Sequence, residues 1–131
     1  MESIDIEGTD KTPTINFDAE KGLIEIKGKS IPENSLGLYD PLLSWLDKYS
    51  AVAPPMTNVN IHLEYFNTAS SKCILDIFRK LESIHHESNT TKIVINWYYD
   101  EDDEDMLEAG GDYELMIDVP FEMKKVKIEI G

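Results

Sequence analysis

Between Val59 and Tyr65 the chain alternates without a break: Val59, Ile61, Leu63 and Tyr65 are apolar, while Asn60, His62 and Glu64 are polar. Successive side chains of a strand point to opposite faces, so this segment is a strand with one dry face and one wet one. That pattern constrains the whole fold. A strand buried between two helical layers reads as continuously apolar. The alternation therefore predicts a sheet with helices mainly on one face and the other face at least partly open to water.

The neighbouring segments fit such a sheet. Thr14 to Phe17 and Leu23 to Lys27 alternate around the short turn Asp18 to Gly22, which predicts an antiparallel hairpin. From Ser35 to about Ser50, Leu36, Tyr39, Leu42, Leu43, Leu46 and Tyr49 recur at spacings of three and four, the stripe of a helix facing a core. Pro41 is expected in the first turn of that helix, where a missing N–H costs little. Pro54-Pro55 ends it. Asn67 to Ser70 enters a second helix carried by Cys73, Ile74, Ile77, Phe78, Leu81 and Ile84, with His85 to Thr90 as its exit loop. Lys92 to Tyr99, rich in β-branched and aromatic residues, is the strongest strand. Met106 to Met116 predicts a third helix, interrupted or ended near Gly110-Gly111. Val119 to Phe121 is extended again, and Val126, Ile128 and Ile130 alternate with charged residues as a last strand.

Residues 1–12 read as a loose lead-in. The order β-β-α-β-α-β-α-(β) predicts the α/β class: a single domain spanning 1–131, with a mixed sheet of about four to five strands. Strand–helix–strand units imply right-handed crossovers and parallel pairing.

Composition limits what such a domain does. The 131 residues carry 12 Lys plus Arg against 26 Asp plus Glu, a formal net charge of −14. Phosphate backbones are held by clustered Lys and Arg, so no nucleic-acid partner is expected. An anionic membrane surface is disfavoured for the same reason. No apolar run approaches the roughly 18 to 20 residues of a membrane span, and the N-terminus lacks the basic and apolar regions of a signal peptide. The lone cysteine forms no internal disulfide. The expectation is a cytoplasmic protein of bacterial type, without membrane insertion.

Catalytic constellations are scarce. His62 lies on the polar face of a strand, and His85 and His86 lie where a helix ends, a favourable place for a cation. H-E-x-x-H, C-x-x-C, G-x-S-x-G and P-loop patterns are missing, and no cofactor is expected. Cys73 lies on an apolar stripe and reads as a buried structural thiol. The run Asp100, Glu101, Asp102, Asp103, Glu104, Asp105 lacks the glycine and the bidentate glutamate of an EF-hand loop, so no metal is expected there. It reads as an acidic helix start, or as a surface for a basic partner.

The most informative segment is the strand-to-helix junction Asn67-Thr68-Ala69-Ser70-Ser71-Lys72. Asn67 or Thr68 is suited to cap the helix. Free N–H groups and the positive end of the helix also make an anion site there. A phosphate on one of these hydroxyls would gain hydrogen bonds, with Lys72 one turn on.

Five segments together resemble the SiaC family of bacterial regulatory phosphoproteins: Thr9 to Pro13, Gly28 to Asn34, Tyr39 to Leu46, Glu64 to Cys73, and Trp97 to Gly110. The resemblance spans residues from about 9 to about 113. Ala69 stands where the family motif has a serine. The resemblance implies a fold similar to the anti-sigma-factor-antagonist (STAS) domain, and a partner switch rather than an enzyme. A Ser/Thr kinase of the anti-sigma-factor type would phosphorylate Thr68, and a PP2C-type phosphatase would remove the phosphate. The unmodified form would bind and activate a diguanylate cyclase, raising cyclic di-GMP and favouring aggregation or biofilm growth. Two readings from other classes compete: a passive acidic interaction or dimerisation module, and a small cation-dependent enzyme using Asp100 to Asp105.

Overall fold

A computed structural model describes residues 1–128. Strands β1 (Ile4–Ile6), β2 (Thr14–Asp18) and β3 (Leu23–Ser30) come first. Then follow α1 (Ser35–Tyr49), β4 (Met56–Phe66), α2 (Thr68–Glu87), β5 (Lys92–Asp100), α3 (Glu104–Met116) and β6 (Phe121–Val126). The strands form one sheet in the order β1-β2-β3-β4-β5-β6. The first three pair antiparallel and the rest parallel, so the sheet is mixed as expected. Each parallel crossover steps one strand the same way along the sheet. Right-handed crossovers that all step one way stay on one side, which puts the three helices on one face. Among the described residues no helix is long and apolar enough to cross a membrane.

The dry face is built as the alternation requires. Val59, Ile61, Leu63, Ile93, Ile95 and Trp97 are buried against Leu42, Leu46, Ile74, Ile77, Phe78 and Leu81. The other face is polar and pairs with itself. The Asn96 amide donates to Asn60 Oδ1 at 2.9 Å, and the Asn60 amide donates to Glu25 Oε2 at 3.1 Å.

The sheet has six strands rather than four to five. The extra one is β1, inside the segment read as a loose lead-in. Three residues are too few to show a period, but Trp45 Nε1 donates to Glu2 O at 2.8 Å and β2 supplies the ladder. The last strand also begins earlier than the alternation of Val126 and Ile128 implied, and Ile130 lies outside the described residues. Phe121 sets its register by stacking on Trp97, with ring centroids 6.4 Å apart.

Three helix boundaries differ from expectation. Pro41 lies inside α1, beyond its first turn, because Asn34 Oδ1 accepts from Gly37 N–H at 3.0 Å and starts the helix early. The second helix continues through His85 and His86 to Glu87, since His85 Nδ1 accepts the Ile93 N–H at 3.1 Å. Helix α3 runs straight through Gly110-Gly111. A Cβ on Gly110 would stand 2.4 Å from Trp97 Cδ1, so this glycine serves close packing and not a helix break.

Candidate functional site

Parallel strands β3, β4 and β5 end at Ser30, Phe66 and Asp100, and α1, α2 and α3 begin just beyond. The hydroxyl-rich junction and the acidic run therefore share one edge of the sheet. In open α/β sheets this carboxyl edge is where functional loops gather.

Asn67 is the cap of α2. Its Oδ1 accepts from Ser70 N–H at 2.8 Å, its carbonyl accepts from Ser71 N–H at 2.9 Å, and its own N–H is taken by Ser30 O at 3.1 Å. Thr68, the alternative cap, is instead the first helical residue and is exposed. Ala69 and Lys72 are exposed beside it, Lys72 one turn further on.

The other two hydroxyls are committed inward. Ser70 is fully buried and accepts from the Ser30 hydroxyl at 2.8 Å. With its one proton spent there, Ser30 Oγ accepts a hydrogen bond from the Tyr39 hydroxyl, 2.6 Å away. Burial pushes Tyr39 up to about 12, against the lowering effect of its bond to Ser30. On the other side the Tyr113 hydroxyl donates to Ser71 O at 2.9 Å, so the Ser71 hydroxyl, 3.0 Å away, donates to Tyr113. Burial raises Tyr113 as well. Tyr39, Ser30 and Tyr113 thus form the floor of the junction. Nothing in their spacing marked them, because they come from three separate elements.

The six carboxylates of the acidic run disperse. Asp100 turns to the open sheet face, 3.1 Å from His62 Nε2. Asp103 caps α3, accepting from Met106 N–H at 3.0 Å. Glu104 and Asp105 occupy the first turn of α3, where its dipole favours them, and with Glu101 and Asp102 they are exposed. Among the described residues no group of three or more His, Cys, Asp or Glu side chains is arranged to hold a metal ion. Cys73 is buried, and burial raises its thiol, with Asp76 and Asp40 adding to the effect.

One residue was assigned to the wrong face by alternation. The register of β3 on β4 shifts between Gly28 and Lys29: Gly28 pairs with Leu63, but Lys29 pairs with Tyr65. Glu64 is the extra residue of a β-bulge, and the bulge reverses the parity of everything after it. Phe66 turns inward onto Trp97, its ring edge-on at 6.3 Å, and Tyr65 turns outward, 57% exposed. The signals present were Gly28, with φ +105°, and two consecutive aromatic residues that cannot both face the core.

Residues 6–126 match the sequence profile described as SiaC family regulatory phosphoprotein. An uncharacterised protein of Pseudomonas aeruginosa (strain UCBPP-PA14) is 30% identical over 121 residues, which is 92% of this chain and 94% of that one. The solved structure of SiaC of Pseudomonas aeruginosa superposes with a TM-score of 0.86 at 28% identity, covering 96% of this chain and all of that one. A crystal structure of the diguanylate cyclase SiaD in complex with its activator SiaC, also from Pseudomonas aeruginosa, gives a TM-score of 0.86 at 28% identity. It covers 94% of this chain and 99% of that one.

Proposed function

This chain belongs to the SiaC family of regulatory phosphoproteins, and we propose that it is a phosphorylation-gated activator of a diguanylate cyclase. Thr68 is the acceptor. A Ser/Thr kinase of the anti-sigma-factor type adds the phosphate and a PP2C-type phosphatase removes it, all in the cytoplasm. The unmodified form binds the cyclase and raises cyclic di-GMP, favouring aggregation or biofilm growth. The chain acts as a single domain and by binding.

The observation that carries this reading is the disposition of the three hydroxyls. Ser70 is buried on Ser30, Ser71 is held by Tyr113, and Thr68 faces solvent. A kinase must reach its acceptor, and Thr68 is the one presented. The activator role of the superposable Pseudomonas aeruginosa protein supports the choice of a diguanylate cyclase as partner.

The geometry accounts for a switch that does not unfold the domain. Phosphate adds about −1.5 to −2 charges at neutral pH. On Thr68 it sits at the N-terminus of a long helix, where the dipole offsets roughly 0.3–1 kcal/mol. Lys72 follows at the i+4 position, the orientation in which an acid and a base on one helix pair best. The fold tolerates the charge, and the consequence falls on whatever surface must meet it.

The test measures affinity and cyclic di-GMP output with each purified diguanylate cyclase of the source organism. Thr68→Ala should bind as the parent does. Thr68→Glu and enzymatically phosphorylated protein should bind weakly. Equal activation by all four forms, or activation by the acidic forms alone, overturns the reading.

A further inference from the structure

Helix α3 has two different faces. Met106, Gly110 and Tyr113, at spacings of three and four, are buried against the core. Leu107, Gly111 and Leu115 form a second row, and residues four apart on a helix are neighbours on its surface. This row points away from the core. Leu107 is 43% exposed, and Leu115, at 88%, is the most exposed large apolar side chain among the described residues. A single exposed leucine is ordinary, but these two share one stripe of one helix. Between them stands a glycine, which weakens a helix interior and is kept where something must approach closely. Gly110 has such a neighbour in the Trp97 ring, whereas a Cβ on Gly111 would meet nothing within 4 Å. The notch over Gly111, flanked by two leucines, serves no contact within the chain.

The same outer face carries charge of one sign. Glu104, Glu108, Asp112 and Glu114 are exposed around the stripe, and α3 contains no Lys, Arg or His. Among the described residues none of these four carboxylates has an ion-pair partner. Arg79 reaches the end of the helix, but it bonds Met116 O at 2.8 Å and pairs with Glu82. A notch between apolar flanks lets a second helix seat a side chain and pack closely. Carboxylates on both sides of the notch select a helix whose own flanks are Lys or Arg. We infer that the Leu107–Gly111–Leu115 face of α3 docks a basic amphipathic helix of the cyclase. The inference rests on the activator reading above and names its partner surface. Ser71 and Tyr113 tie that helix to the first turn of α2, which carries Thr68.

The experiment titrates the purified cyclase that binds the parent with Leu115→Ala, Gly111→Leu, Glu108→Lys and Val52→Ala, at low and moderate salt, with thermal melts alongside. Val52, exposed just past the end of α1, is the control. Leu115→Ala and Gly111→Leu should each bind at least tenfold more weakly, the first by losing an anchor and the second by filling the notch. Gly111→Leu should melt no lower than the parent, so its loss of binding is not a loss of fold. Glu108→Lys should bind at least tenfold more weakly at low salt and lose less at moderate salt, where the charges are screened. Val52→Ala should bind like the parent. Parental affinity from Leu115→Ala or Gly111→Leu removes α3 as the docking face, as does an equal loss in Val52→Ala. If Glu108→Lys binds like the parent, the docked helix is not basic. Should Thr68→Glu bind normally while Gly111→Leu does not, the gating reading falls and the docking face stands. The reverse pattern leaves gating in place and overturns the docking face.

Discussion

The Ser30 hydroxyl donates to the Ser70 hydroxyl at 2.8 Å, tying the end of β3 to the first turn of α2. That one bond removes Ser70 from solution, while Thr68, two residues earlier, stays exposed. Phosphate mapped by mass spectrometry after incubation with kinase and ATP should fall on Thr68. Ser70→Ala should still be phosphorylated and lose about 1 kcal/mol of stability, the worth of a typical hydrogen bond. Phosphate on Ser70 or Ser71 with Thr68 clean would refute the assignment.

The paired glycines of α3 should respond in opposite directions. At Gly110 a Cβ meets Trp97 Cδ1 at 2.4 Å and Nε1 at 2.5 Å, and Trp97 is fully buried with its Nε1–H donated to Met106 O. Gly110→Ala should therefore destabilise by about 1–3 kcal/mol through overpacking. At Gly111 a Cβ meets nothing within 4 Å. Gly111→Ala should stabilise by roughly 0.5–1 kcal/mol, because alanine loses less entropy in a helix. Urea melts of the two variants decide it, and equal effects would mean α3 does not pack as described.

His85 should make stability depend on pH. Its Nδ1 accepts the Ile93 N–H at 3.1 Å, so the ring is neutral on that nitrogen. Burial lowers its pKa, with His86 and Lys92 adding to the effect and Asp118 opposing it. The folded state thus binds its proton less readily than the unfolded chain, whose histidine titrates near pH 6.5. The contribution is complete above that pH and is lost as pH falls toward the lowered value. Parent stability should drop between about pH 7 and pH 5 more steeply than that of His85→Leu. Parallel pH curves for the two proteins would remove His85 from the account.

The acidic run should behave as a helix start and not as a metal site. Calorimetric titration with calcium or magnesium should show only weak, salt-sensitive binding, since Asp100 faces His62 and Asp103 caps α3. Asp103→Ala should cost about 1 kcal/mol of stability by loss of the cap. A stoichiometric micromolar site that disappears in Asp102→Asn or Asp103→Asn would restore the cation-dependent reading.

Local pattern carried much of this protein. Alternation from Val59 to Leu63 and helical spacing from Cys73 to Ile84 placed the central strand and helix, because a period of two or of 3.6 is a property of adjacent residues. The same pattern implied one covered face and one wet face, and the family motif singled out Thr68. What escaped it depended on distant partners. Tyr65 fell on the wrong face because a bulge against Gly28 reverses parity, and a bulge exists only once two strands are paired. Gly110 resembled a helix break because Trp97, which needs the space, comes from another element. The cap at Asn67 and the burial of Ser70 were settled by Ser30 and Tyr39, brought from β3 and α1. Sequence by itself determined the central elements and their order, without β1, and drew attention to the hydroxyl-rich junction at Asn67. Tertiary structure decided which hydroxyl of that segment meets the solvent, since exposure is fixed by neighbours that the chain supplies from elsewhere.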